Sequence, residues 1–212
     1  MDIDRTLQNF EGQPVTRQVL LHLLKDYKRP YDKINELVKQ QVLIPVKRGV
    51  FVAGPASNTA QPEPYLLANH LLGPSYVSME TALSYWRLIP EQVFEVSSAT
   101  TARSKTYQTA VGRFSYTHLP LPYYSFGQQP VELATNQVAL IATPEKALCD
   151  KIVTTSALLF RSSAQITAWL IEDMRMDKQM LRTLKTNTIR DWLPNSPKSE
   201  SLQILVNTLE KL

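Results

Sequence analysis

An α+β fold in two unequal modules is what the sequence predicts, and three observations carry the prediction. Helix, turn, helix and β-hairpin patterns follow one another between residues 14 and 52. A run of small and turn-forming residues from Ala53 to Pro62 then interrupts them. Beyond it, strand-like and helical segments mix before the chain becomes wholly helical. The division falls at residues 1–54 and 55–212. With 212 residues, 43% of them hydrophobic and 20% charged, the chain has ample material for a core that needs no covalent staples. Its one cysteine excludes an intramolecular disulfide and any multi-cysteine zinc site.

Pro14 suits the first turn of a helix, and Val15, Val19, Leu20, Leu23 and Leu24 recur on one face of it. Asp26-Tyr27-Lys28-Arg29 breaks the period. From Pro30 a second helix of about 11 residues carries Ile34, Leu37 and Val38 on its apolar face, with Lys33, Glu36, Lys39 and Gln40 turned outward. Val42–Val46 and Val50–Val52 read as short strands around the turn Lys47-Arg48-Gly49. This order is that of a winged helix-turn-helix.

In the larger module, 65–72 reads as a helix stopped by Gly73-Pro74, and Ser78 caps another that carries Met79, Ala82, Leu83 and Trp86. Val93–Ser98, Phe114–Leu119 and Gln137–Ala142 are strand candidates, and Thr100–Ala110 is a loop or the outer part of a hairpin. Thr143-Pro144-Glu145-Lys146 opens a helix with Ala147, Leu148 and Ile152 inward. Helical periods around Ile166, Met180, Ile189 and Leu202 complete a mixed α/β domain with a helical tail.

The net charge of +4 is unevenly spread. Residues 15–48 hold eight basic groups against three acidic ones, whereas 55–212 hold fourteen against thirteen. That places a basic surplus on the small module, as duplex DNA requires. A second helix roughly 16 Å long fits a major groove about 12 Å wide. Its first turns bring Arg29, Tyr31, Asp32, Lys33 and Asn35 to the bases. Arginine and lysine donate to guanine, asparagine pairs with adenine, and aspartate accepts from cytosine. Lys28 suits a phosphate, and Lys47 and Arg48 at the hairpin tip reach a neighbouring phosphate or the minor groove. About five phosphate-facing cations predict a log–log salt slope of roughly −4 to −5. The competing reading is a protein-interaction module with a solvated charged helix.

Catalysis has no signature here. His22, His70 and His118 form no ligand pair, and the six glycines include no phosphate-cradling loop, so neither metal nor cofactor is expected. Cys149 reads as a buried structural thiol. Glu145 and Asp150, five positions apart, are about 140° apart around a helix, and are read as helix-start and surface carboxylates. Pro122–Gly127, Trp169 and Trp192 read as packing aromatics. The charged start Met1–Arg5 lacks an apolar signal core, and no run approaches the ~20 apolar residues of a membrane span, so a cytoplasmic location is expected.

Several segments together resemble the AbiE-type (AbiEi) antitoxins. They are Leu43–Val52; Tyr76-Val77-Ser78-Met79-Glu80-Thr81-Ala82-Leu83 and Leu88-Ile89 after Gly73-Pro74; Val93–Ser98; and, most distinctive, Val138–Asp150 with its Thr143-Pro144-Glu145-Lys146-Ala147-Leu148-Cys149-Asp150. The resemblance covers roughly residues 15–155. It implies a type IV toxin–antitoxin system linked to abortive phage infection. In that family the N-terminal domain binds double-stranded operator DNA and represses its own operon. The C-terminal domain counters a nucleotidyltransferase-like toxin, without a stable complex being required.

Overall fold

A computed structural model describes residues 8–212; the charged start Met1–Arg5 lies outside the described residues. The chain is mixed α and β, with two sheets and, among the described residues, nine α-helices. The small sheet comprises β1 (Val15–Thr16), β2 (Leu43–Lys47) and β3 (Val50–Ala53), antiparallel in the order β1-β3-β2. Between β1 and β2 come α1 (Arg17–Leu23) and α2 (Pro30–Lys39).

The expected helix start at Pro14 is corrected here. Val15 and Thr16 pair with Phe51 and Val50, and the helix begins at Arg17, where the Thr16 hydroxyl accepts from the Val19 N–H at 3.3 Å. A β-branched pair supplies a strand and an N-cap together, which outweighs the preference of proline for a first helical turn. In α2, Pro30 does occupy the first turn, and Ile34 and Leu37 are buried.

The second sheet has the order β6-β7-β5-β4-β9-β8. Its strands are β4 (Ser75–Val77), β5 (Glu95–Thr100), β6 (Lys105–Thr109), β7 (Gly112–His118), β8 (Gln128–Ala134) and β9 (Gln137–Ala142). The short β4 sits in the interior of the sheet, antiparallel to β5 and parallel to β9, although its three residues gave no strand signal in the sequence. Helices α3 (Pro64–Leu71), α4 (Met79–Tyr85) and α5 (Pro144–Thr154) serve this sheet. The tail is α6 (Ser163–Ala168) with a following π-turn, α7 (Lys178–Leu181), α8 (Thr186–Trp192) and α9 (Ser199–Leu209). Trp169 and Trp192 are buried in it. No described helix is long and apolar enough to cross a membrane.

Two hydrophobic cores result, and the β2–β3 hairpin belongs to both. Leu43 and Phe51 face the small core with Val15, Leu20, Leu24, Ile34 and Leu37, while Val46 and Val52 enter the large one. Alternation of side chains along a strand produces this sharing. The first residues of the described chain also reach across, since the Gly12 N–H donates to the Ala60 carbonyl and the Gln13 amide to the Asn136 carbonyl.

Candidate nucleic-acid interface

Between α2 and the β2–β3 hairpin lies a groove of ≈ 480 Å³, bordered by Arg17, Tyr31, Asn35, Val38, Lys47 and Arg48. Its geometry follows from local sequence. Lys47 pairs with Val50, so the hairpin closes through Arg48 and Gly49, and Gly49 adopts φ +81°, a conformation glycine takes without strain. The Arg17 N–H donates to the Gly49 carbonyl at 2.8 Å, tying the start of α1 to the hairpin tip. Arg17 thereby stands at the groove beside Arg48. Sequence reasoning left Arg17 out of the site because it placed the residue inside a helix already under way.

On α2, Ile34 and Leu37 are buried, so at about 100° per residue Asp32, Asn35 and Lys39 lie on the outward face. Tyr31, 59% exposed, and Asn35 border the hairpin side. Lys39 is the second residue missed; its place one turn beyond Asn35 was the available signal. Four of the expected residues, Tyr31, Asp32, Asn35 and Arg48, are therefore exposed at or beside the groove.

The remaining four are placed differently. Lys28 is exposed before the helix. Arg29 pairs with Asp32 at 3.8 Å, with side chains 84% and 67% exposed. Lys33 turns to the flank, donating to Glu36 at 2.8 Å with its ammonium 5.9 Å from the Tyr27 ring centroid. That bond holds the Glu36 carboxyl below its ordinary range. Exposed i,i+3 pairs are worth about 0–1 kcal/mol, so a phosphate can displace either carboxylate.

Lys47 departs most from expectation. Simple alternation from Pro45 would turn it to the groove, but the register shifts between Pro45 and Lys47, and this bulge sets Lys47 opposite Val50 on the face toward the large module. Its ammonium donates to the Leu71 carbonyl at 2.8 Å and lies 5.7 Å from the Tyr107 ring centroid. Among the described residues, Arg17, Lys28, Lys39 and Arg48 pair with no carboxylate.

Glu145 and Asp150 also differ from expectation, because neither is solvated. Asp150 is fully buried, 2.8 Å from the equally buried Lys146 ammonium, and accepts from the Ser78 hydroxyl at 2.7 Å and the Tyr76 hydroxyl at 3.0 Å. Ser78 stands at the start of α4 but spends its hydroxyl here, not as a side-chain cap. Glu145 accepts from the Lys185 N–H at 2.9 Å, ahead of α8. Cys149 is buried, and burial pushes its thiol well above the ordinary value. The aromatics of 122–127 pack inward, with Tyr123 and Tyr124 buried. These groups are built into the large core.

No family model matches the chain, and no curated protein matches it.

Proposed function

We propose that this chain is the DNA-binding antitoxin of a bacterial type IV toxin–antitoxin system, an autorepressor that grips double-stranded operator DNA through an N-terminal winged helix-turn-helix. The observation that carries the DNA-binding part is the groove between α2 and the hairpin. It presents an outward-facing Asn35 and Tyr31 between the cations Arg17 and Arg48, with Lys28 and Lys39 alongside. A helix of this length with a β-hairpin wing fits one major groove and the flanking backbone. Base-reading chemistry at the centre and phosphate-binding chemistry at the edges is the division of labour DNA recognition needs. The antitoxin part rests on the resemblance of residues 15–155 to the AbiE-type antitoxins, which assigns the larger module to countering a nucleotidyltransferase-like toxin in the cytoplasm. An adjacent reading frame encoding such an enzyme would be its counterpart.

Titrating a labelled duplex of the upstream intergenic sequence over a salt series tests the reading. Arg17, Lys28, Lys39 and Arg48 give a log–log slope of about −3.6, at roughly −0.9 per phosphate contact. Arg48→Ala weakens binding to every sequence and makes the slope shallower by about 0.9, whereas Asn35→Ala loses discrimination at one position, about 1–3 kcal/mol. A salt-independent association, or parent-like binding by both variants, overturns it. A second reading, a winged-helix module that binds protein and no DNA, is favoured by the internal pairing of Arg29 and Lys33 with Asp32 and Glu36. Absence of any shift of the intergenic duplex would select it.

A further inference from the structure

One face of the large sheet is left partly open. On β7, Phe114 and Tyr116 turn into the core, where the Tyr116 hydroxyl donates to the Ala68 carbonyl of α3 at 2.6 Å. Ser115 and Thr117 alternate with them and point the other way, and Ser97 of β5 stands in register beside Ser115. With the last turn of α5 this row borders a cavity of ≈ 580 Å³, within the roughly 300–1,000 Å³ of small-molecule sites. Phe94 also borders it, at 87% exposure the most exposed large hydrophobic side chain among the described residues. A solvated sheet face accounts for the hydroxyls but not for that ring.

Some polar groups around the cavity are already engaged. The Thr154 and Thr155 hydroxyls donate to the Asp150 and Lys151 carbonyls of their own helix, and the Ser97 and Thr81 hydroxyls share a hydrogen bond of 3.0 Å. The Ser115 and Thr117 hydroxyls and the Gln92 amide have no protein partner among the described residues. Each charged side chain on the lining is matched. Glu80 is paired with Lys151, and Glu95 with Arg113 at 2.7 Å. Beyond the end of α5, the Lys198 ammonium donates to the Ile152, Thr155 and Leu158 carbonyls. The cavity therefore offers no unbalanced cation to a phosphate and no unbalanced carboxylate to an amine.

We infer that this cavity binds an uncharged nucleoside. An exposed phenyl ring is a stacking platform for a planar base. The Ser115 and Thr117 hydroxyls, each able to donate and to accept, match the hydroxyls of a ribose. The Gln92 amide suits the edge of adenine, donating to a ring nitrogen and accepting from the amino group. The matched charges select a nucleoside over its phosphates. Phe114, on the opposite side of β7, lies beside Val52 of the β2–β3 hairpin, so the cavity is separate from the groove and the inference does not depend on DNA binding.

Titration of the full-length chain with adenosine, free ribose and adenosine monophosphate, followed by ligand-observed NMR, tests this. Adenosine shows saturable binding. Free ribose, with nothing to stack, binds about tenfold more weakly or worse, and the monophosphate binds no tighter than adenosine. Phe94→Ala weakens adenosine by about tenfold or more and leaves ribose unchanged. Ser115→Ala/Thr117→Ala weakens adenosine and ribose alike, by about tenfold. Phe94 is exposed and the two hydroxyls are half-buried, and a circular dichroism melt like the parent's checks that each variant keeps the fold. Absence of saturable adenosine binding overturns the inference, as does parental affinity in either variant. A monophosphate that binds more tightly than adenosine overturns the uncharged class.

Discussion

Lys146 and Asp150 carry the largest single-residue consequence in the molecule. Two opposite charges with no exposed surface sit one helical turn apart on α5, 2.8 Å from each other. The Lys146 ammonium also donates to the Tyr123 carbonyl at 2.9 Å and lies 3.1 Å from the Tyr123 ring centroid. Burial lowers its pKa, and the attraction of Asp150 only partly restores it. Such a pair adds little net stability over an apolar substitute, but removing one member strands the other. Lys146→Met leaves the Asp150 carboxylate unbalanced and is expected to cost about 3–5 kcal/mol in denaturant unfolding. Lys151→Met, on the same helix but in a partly exposed pair with Glu80, costs under about 1 kcal/mol. Equal losses for the two variants would refute the distinction between buried and exposed pairs. The sequence showed both charges of the buried pair at helical spacing; what it hid was the depth of α5, which the polar residues at 145, 146, 150 and 151 make look like a surface helix.

At the scale of elements, Gly54 fixes how the hairpin meets α2. A Cβ there would stand 2.1 Å from the Gln41 carbonyl oxygen, and Gly54 donates its N–H to the Val42 carbonyl at 2.8 Å. Backbone, unlike a flexible side chain, cannot swing aside. Gly54→Ala must therefore lever β3 away from the end of α2, costing about 1–3 kcal/mol and widening the groove. Chemical denaturation and the duplex titration should register the loss together; unchanged stability would mean the two elements are not in hard contact. Read as a linker from its composition, this glycine is a packing residue. The same contrast separates legible from illegible elements. α2, the β2–β3 hairpin and α5 announced themselves through a proline start, a glycine turn and apolar period. β4 and β8 did not: β4 has only three residues, and β8 carries Pro130 and Glu132 on an edge. The facing of Lys47 was not legible, because a one-residue bulge reverses it, and no composition signal marks a bulge inside Pro45-Val46-Lys47.

For the molecule as a whole, the large core is unusual in the acids it buries, and this sets its response to alkali. Cys149 and the hydroxyls of Tyr76, Tyr116 and Tyr123 all have pKa values raised, in each case first by desolvation. Below the ordinary thiol value of 9.0 all four groups are protonated in folded and unfolded chains alike, so they make stability independent of pH. Above it the unfolded chain releases protons that the folded chain retains, and stability falls as pH rises, by up to about 1.4 kcal/mol per pH unit for each proton of difference. Cys149 begins the loss near 9 and the tyrosines join above 10, their ordinary value. Lys146 and Lys198 work in the opposite sense, because their lowered pKa values make the unfolded chain hold those protons longer, but the raised thiol and phenols, Tyr65 and Tyr124 among them, outnumber these two lysines. Urea unfolding at pH 7, 9 and 10.5 should give a flat segment and then a steep decline. Cys149→Ala should postpone the onset by about one pH unit, the interval between ordinary thiol and phenol values. Stability that held level to pH 10.5 would show that these groups are solvated, and with that the closed core uniting β4, the 123–126 turn and α5 would fall.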